Sequence, residues 1–124
     1  MSKKLTALVA TAALALTLCA NALAANTCLR VIVVKTDNVT AYMQQLDKGR
    51  AMMKKLGINP TIRIWKATFA GPNAGTIIVS QEYPSFAALA EAQSKGAADK
   101  DFSTWVEGLD KIRTIVSDSL YREL

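Results

Sequence analysis

A chain without a single histidine is cut off from much of the commonest site chemistry before its fold is considered. It cannot assemble a Ser-His-Asp or Cys-His nucleophile, and it cannot hold a haem through an imidazole. Metal ligation would fall to carboxylates, and Glu82, Glu91, Asp99 and Asp101 show no recognised metal spacing. Asp99 and Asp101 read instead as residues that start a helix. Neither metal nor cofactor is expected, and no residue is assigned a catalytic role.

What remains is aromatic and flexible. Tyr42 and Met53 fall on the first helix of the reading below, Trp65 and Tyr83 on strands, and Trp105 on the last helix. Such side chains ordinarily fill a core. They can also line a pocket for a small apolar molecule, because Trp and Tyr bring a polar tip to an apolar wall. Arg50 lies at the border of the apolar stripe of its helix. It is either a snorkelling surface arginine or an anchor for an anion or carbonyl at the pocket mouth. These six residues form the candidate ligand-binding set.

The Gly71–Gly75 stretch GPNAG, followed by Thr76, has the look of a phosphate loop. A phosphate loop joins a strand to a helix whose amino terminus holds the anion, and it usually ends in Gly-Lys-Ser/Thr. Here a strand follows and lysine is missing. The stretch reads as a hairpin loop, with Phe69 opposite Ile77 as one register.

The elements that must position these residues begin after a leader. Lys3 and Lys4 precede an uncharged apolar run from Leu5 to Ala20, and Ala22-Leu23-Ala24 supplies a small-x-small cleavage pattern. The run is short for a membrane span, which needs about 20 residues. The reading is a signal peptide over residues 1–24, cleaved after Ala24, and a periplasmic or secreted protein. Acylation at Cys19 is the lesser alternative, since Leu18 is bulky where that processing wants a small residue. The mature chain, residues 25–124, fits one domain with no membrane span. Losing Lys3 and Lys4 leaves a formal charge of +3, two less than the +5 of the whole chain. So mild a surplus does not argue for nucleic acid. Cys28 is the one cysteine left, and it reads as a buried bystander thiol.

Leu29–Lys35 is a β-branched run apolar on both faces. Asp37 or Asn38 can cap a helix carrying Val39, Tyr42, Met43, Leu46, Met53 and Leu56 at helical spacing, closed by Gly57. The Asn38-Val39-Thr40 pattern is cap chemistry. Strands follow over Thr61–Phe69 and Thr76–Tyr83, then a helix over Phe86–Ser94 that Lys95-Gly96 interrupts. Asp99 or Asp101 restarts it with Phe102, Trp105, Val106, Leu109 and Ile112 on one stripe, and Arg113–Tyr121 is a last strand. The order βαββαβ predicts an α+β, ferredoxin-like antiparallel sheet with both helical layers on one face and the second helix broken. Strands one and three should be central. Their uncovered face is apolar, and a second copy of the same sheet is the expected partner.

A hairpin ending in Glu82-Tyr83-Pro84-Ser85-Phe86 and running into the Ala/Leu helix resembles the dimeric α+β barrel superfamily. That superfamily includes the antibiotic-biosynthesis-monooxygenase-like and NIPSNAP-like groups, and the resemblance spans Leu29 to Leu124 in element order. It implies a homodimer whose sheets curl into one barrel, with a small-molecule pocket between each sheet and its own helices. Many members carry a histidine near the positions of Ala92 and Gln93; this chain does not. Two functions remain open. One is an exported dimeric module that binds a small apolar or aromatic molecule, or serves an accessory role, without catalysis. The other is a cofactor-independent oxygenase or isomerase with Trp65, Tyr83 and Arg50 as candidate groups.

Overall fold

The structure, a computed structural model, describes residues 26–124; the leader, with Cys19 and the cleavage signal after Ala24, lies outside them. β1 (Cys28–Lys35) leads to α1 (Val39–Lys55), then β2 (Thr61–Lys66) and β3 (Ile77–Tyr83). α2 (Phe86–Ala98), α3 (Lys100–Leu109) and β4 (Thr114–Arg122) complete the domain. All strand pairs are antiparallel, in the order β2-β3-β1-β4. The two β-branched strands are therefore central and the more polar ones lie at the edges, where charges discourage further pairing.

Local chemistry sets the helix boundaries. Asn38 Oδ1 accepts the Ala41 amide at 2.9 Å and caps α1. At the other end Gly57 takes a left-handed φ of +73°, which a side chain would resist. Ser85 Oγ accepts the Ala88 amide at 3.1 Å and starts α2. The helical break differs from the expected place. α2 runs through Lys95-Gly96 to Ala98, and Asp99 makes the break by capping α3, its Oδ1 accepting from Phe102 N at 2.7 Å. Gly96 does not end the helix because its missing Cβ is used: one built there would stand 2.9 Å from the Phe102 ring.

The hairpin also corrects the expectation. β2 stops at Lys66, which pairs with Ile77, so the register with Phe69 opposite Ile77 does not occur. Phe69 is fully exposed. Gly71 to Asn73 form one turn of 3-10 helix, flanked by Gly71 at φ +54° and Gly75 at φ +87°. The Thr76 hydroxyl donates to the Asn73 carbonyl at 2.7 Å, which uses it to close the loop.

Strand alternation divides the sheet. Cys28, Ile32 and Val34 of β1 with Ile77, Val79 and Tyr83 of β3 are buried beneath the helices. Leu29, Val31, Val33 and Ile78 point to the other face, which no helix among the described residues covers. No helix of the described residues is long and apolar enough to cross a membrane.

Candidate functional site

Between the helix-facing side of the sheet and the three helices lies a cavity of about 360 Å³. Its wall is largely apolar: Ile32, Leu46, Ile58, Val79, Phe102 and Leu109 are all part of it. A gap survives there because small residues stand where larger ones would fill it. Ala92, Gly96 and Ala97 form the α2 wall. Outside the cavity lining, Gly49 lets the six-membered ring of Trp105 lie against the α1 backbone, since a Cβ at position 49 would overlap that ring. Phe102 and Trp105 pack against each other at 5.5 Å between centroids, tilted by 43°.

Four of the six residues singled out from the sequence come together here. Tyr42, Met53, Tyr83 and Trp105 line the cavity, with Tyr42 completely buried. Trp65 does not. In β2 it is Ile62 and Ile64 that pack under the helices, while Trp65 pairs with Ile78 on the uncovered face, 52% exposed. Its indole N–H donates to Ser80 Oγ at 3.3 Å. Arg50 does not line the cavity either. It lies beside the edge strand, donating to the Ile62 carbonyl at 3.4 Å, in a separate cleft with Lys54, Asn59 and Pro60. A residue at the border of a helical stripe can flank either neighbour, and packing of α1 over β2 decided which.

The polar groups of the cavity are ones the sequence reading passed over. Arg30, Gln81, Gln93 and Arg113 all line it. Arg30 is held bidentate by Asp118, Nε at 3.0 Å and Nη2 at 2.7 Å. That hydrogen bond holds the Asp118 carboxyl below its usual range and raises the guanidinium further. Burial pushes the Tyr83 phenol up, against the pull of Arg30, so it stays protonated and donates to Gln81 Oε1 at 3.0 Å. Arg113 donates through Nη1 to the Tyr42 hydroxyl at 3.3 Å. A signal for Arg30 was present: an arginine inside an otherwise apolar central strand needs a partner or a purpose. Nothing in the sequence marked Gln81 or Arg113 in the same way.

Among the described residues no group of three or more His, Cys, Asp or Glu could hold a metal ion. Cys28 is 1% exposed, its Sγ–H donating to the Ser85 carbonyl at 3.6 Å, and burial raises its pKa. It is a thiol kept from becoming thiolate. In the chain that starts at Ala25, a thiol reagent such as Ellman's should therefore fail to label the native protein and should label one equivalent once urea unfolds it. Rapid native labelling would show that β1 opens at its start.

A ferredoxin-like sheet with three helices on one face and a pocket between the layers has close structural counterparts. A NIPSNAP family protein from Agrobacterium tumefaciens superposes with a TM-score of 0.59 at 16% identity, covering 79% of this chain and 91% of its own. The architecture that these counterparts share with this chain is a ferredoxin-like α+β fold. A second NIPSNAP family protein from the same organism, of unknown function, gives 0.61 at 10% identity, covering 80% and 89%. SnoaB, a cofactor-independent oxygenase from Streptomyces nogalater, gives 0.60 at 11% identity, covering 81% and 95%. At such identities the likeness is one of fold. No family model matches the chain, and no curated protein matches it in sequence.

Proposed function

We propose that this protein is an exported homodimeric module that holds one small apolar or aromatic molecule per subunit between sheet and helices, without metal or haem. The cavity carries this reading: about 360 Å³ of largely apolar space with a few placed polar groups, which is the ordinary make-up of a small-molecule site. Export rests on the leader pattern of residues 1–24. The dimer rests on the apolar residues of the uncovered sheet face and on the barrel architecture.

Tryptophan emission tests the cavity directly, because Trp105 lines it and Trp65 does not. In a Trp65→Phe background, saturable quenching by members of a panel of small aromatics is expected. Ala97 is an exposed member of the cavity wall, so Ala97→Trp should obstruct the space and weaken binding about tenfold or more at little cost to stability. No saturation by any member of the panel would remove the reading.

A cofactor-independent oxygenase is the second reading, supported by the shared architecture with SnoaB and by Trp105 and Tyr83 in the cavity. Oxygen consumption on addition of a bound aromatic separates it from simple binding. A flat oxygen trace with every bound compound leaves the binding module.

A further inference from the structure

The cavity wall is one-sided in its polar chemistry. Its charged members among the described residues are Arg30 and Arg113, and no carboxylate lines it. Arg30 and Gln81 stand directly opposite each other on the two central strands, and both side chains line the cavity beneath the helices. Each is fixed by a separate partner. Asp118 grips Nε and Nη2 of Arg30, which leaves Nη1 without an acceptor among the described residues. The Tyr83 hydroxyl occupies Gln81 Oε1, which leaves the Gln81 amide hydrogens without a protein acceptor among the described residues. Both free ends are donors.

The other polar groups repeat the bias. Arg113 is 8% exposed, and the nearest carboxylate, Asp110, lies 3.8 Å from its Nε and is itself 69% exposed. Its Nε and the indole Nε1 of Trp105 are buried without an acceptor among the described residues. Desolvated donors without acceptors are costly, so the surroundings of the cavity are short of acceptors rather than of donors. Asp118 offsets Arg30 closely, whereas the exposed Asp110 offsets Arg113 only at a longer distance.

We propose that the cavity selects a small apolar acid, a monoanion whose carboxylate or phenolate oxygen is taken between Arg30 and Gln81 while its apolar body fills the space toward Phe102 and Trp105. This rests on the reading of the cavity as a binding site. A charged oxygen in a partly desolvated pocket gains from charge-assisted hydrogen bonds, whereas a neutral hydrocarbon would leave the same donors stranded. Asp118 and Tyr83 act through Arg30 and Gln81 as positioning residues, holding the two donors in place before the ligand arrives.

Isothermal titration calorimetry with 2-naphthoate and its neutral counterpart 2-naphthamide at neutral pH tests the proposal, because the two share one apolar body. The acid is expected to bind about tenfold or more tighter than the amide. Gln81→Leu should remove most of that advantage while leaving amide binding nearly unchanged. Arg30→Leu combined with Asp118→Leu, which strands neither charge, is the second variant and should do the same. Equal binding of acid and amide overturns the proposal and leaves the cavity reading intact. So does an advantage that survives both variants. Binding of neither probe, with the panel of aromatics also silent, overturns both.

Discussion

Gly49→Ala should lower the melting temperature of this protein, although the same exchange in an exposed helix would raise it by relieving a poor helix former. The gain is about 1 kcal/mol from helix propensity. Against it stands the Trp105 ring, whose six-membered edge occupies the space where the new methyl group would go. The ring is rigid and also packs against Phe102. Overpacking of this kind costs about 1–3 kcal/mol. A net loss follows, and each kcal/mol is worth about 4–8 °C in a domain of this size. Gly49→Val adds two further carbons at a β-branch, and should cost more. The sign depends on one partner. In a Trp105→Ala background the clash is gone, and Gly49→Ala should then stabilise by about 1 kcal/mol. Thermal unfolding followed by circular dichroism across the four combinations measures this. Stabilisation by Gly49→Ala in both backgrounds would show that the indole does not rest on α1.

In the homodimer proposed above, a charge placed on the uncovered sheet face should yield a monomer. Trp65, Ile78 and Val33 lie abreast across β2, β3 and β1 on that face, and Leu29 lies opposite Tyr121 further along. Trp65 and Tyr121 are 52% and 56% exposed in the single chain. Two sheets packed face to face would bury this surface about 10 Å apart. Light scattering of the chain from Ala25 is expected to give twice the mass of one subunit. Ile78→Asp puts an unpaired charge at the centre of that interface, where a single residue can carry 2 kcal/mol or more, and should weaken association about thirtyfold or more. Since Ile78 is half-buried, Trp65→Glu is the companion variant: its exposed ring supports little of the subunit's own core. Both should keep native circular dichroism while the mass falls. A wild-type monomer at micromolar concentration, or a dimer indifferent to both variants, would move the interface elsewhere.

Much of the frame was legible because it is written in local chemistry. Periodicity placed each helix and strand, Asn38, Ser85 and Gly57 marked ends they do form, and the apolar character of β1 and β3 announced the two central strands. The Lys95-Gly96 break was misplaced for a reason that no local signal carries. A glycine inside a helix reads as a stop, but Gly96 is there to receive the Phe102 ring from the next helix. The hairpin register failed in a similar way. Phe69 looks like a strand residue, and only the 3-10 turn at Gly71 to Asn73 leaves it in solvent.

The sequence by itself determined the element order, the sheet topology that follows from it, and the absence of histidine chemistry. It also determined that Tyr42, Met53 and Trp105 would face inward, because helical spacing fixes which side of a helix a residue takes. Only the tertiary structure decided which strand residues share the cavity. In a strand apolar on both faces the alternation gives two equal choices, and pairing with the neighbouring strands selects one. That selection turned Trp65 outward and brought Arg30 and Gln81 together beneath the helices. The cavity itself is a tertiary fact, since it exists where Ala92, Gly96 and Ala97 of one element oppose Arg30, Gln81 and Trp105 of others. A void between layers has no sequence neighbours to announce it.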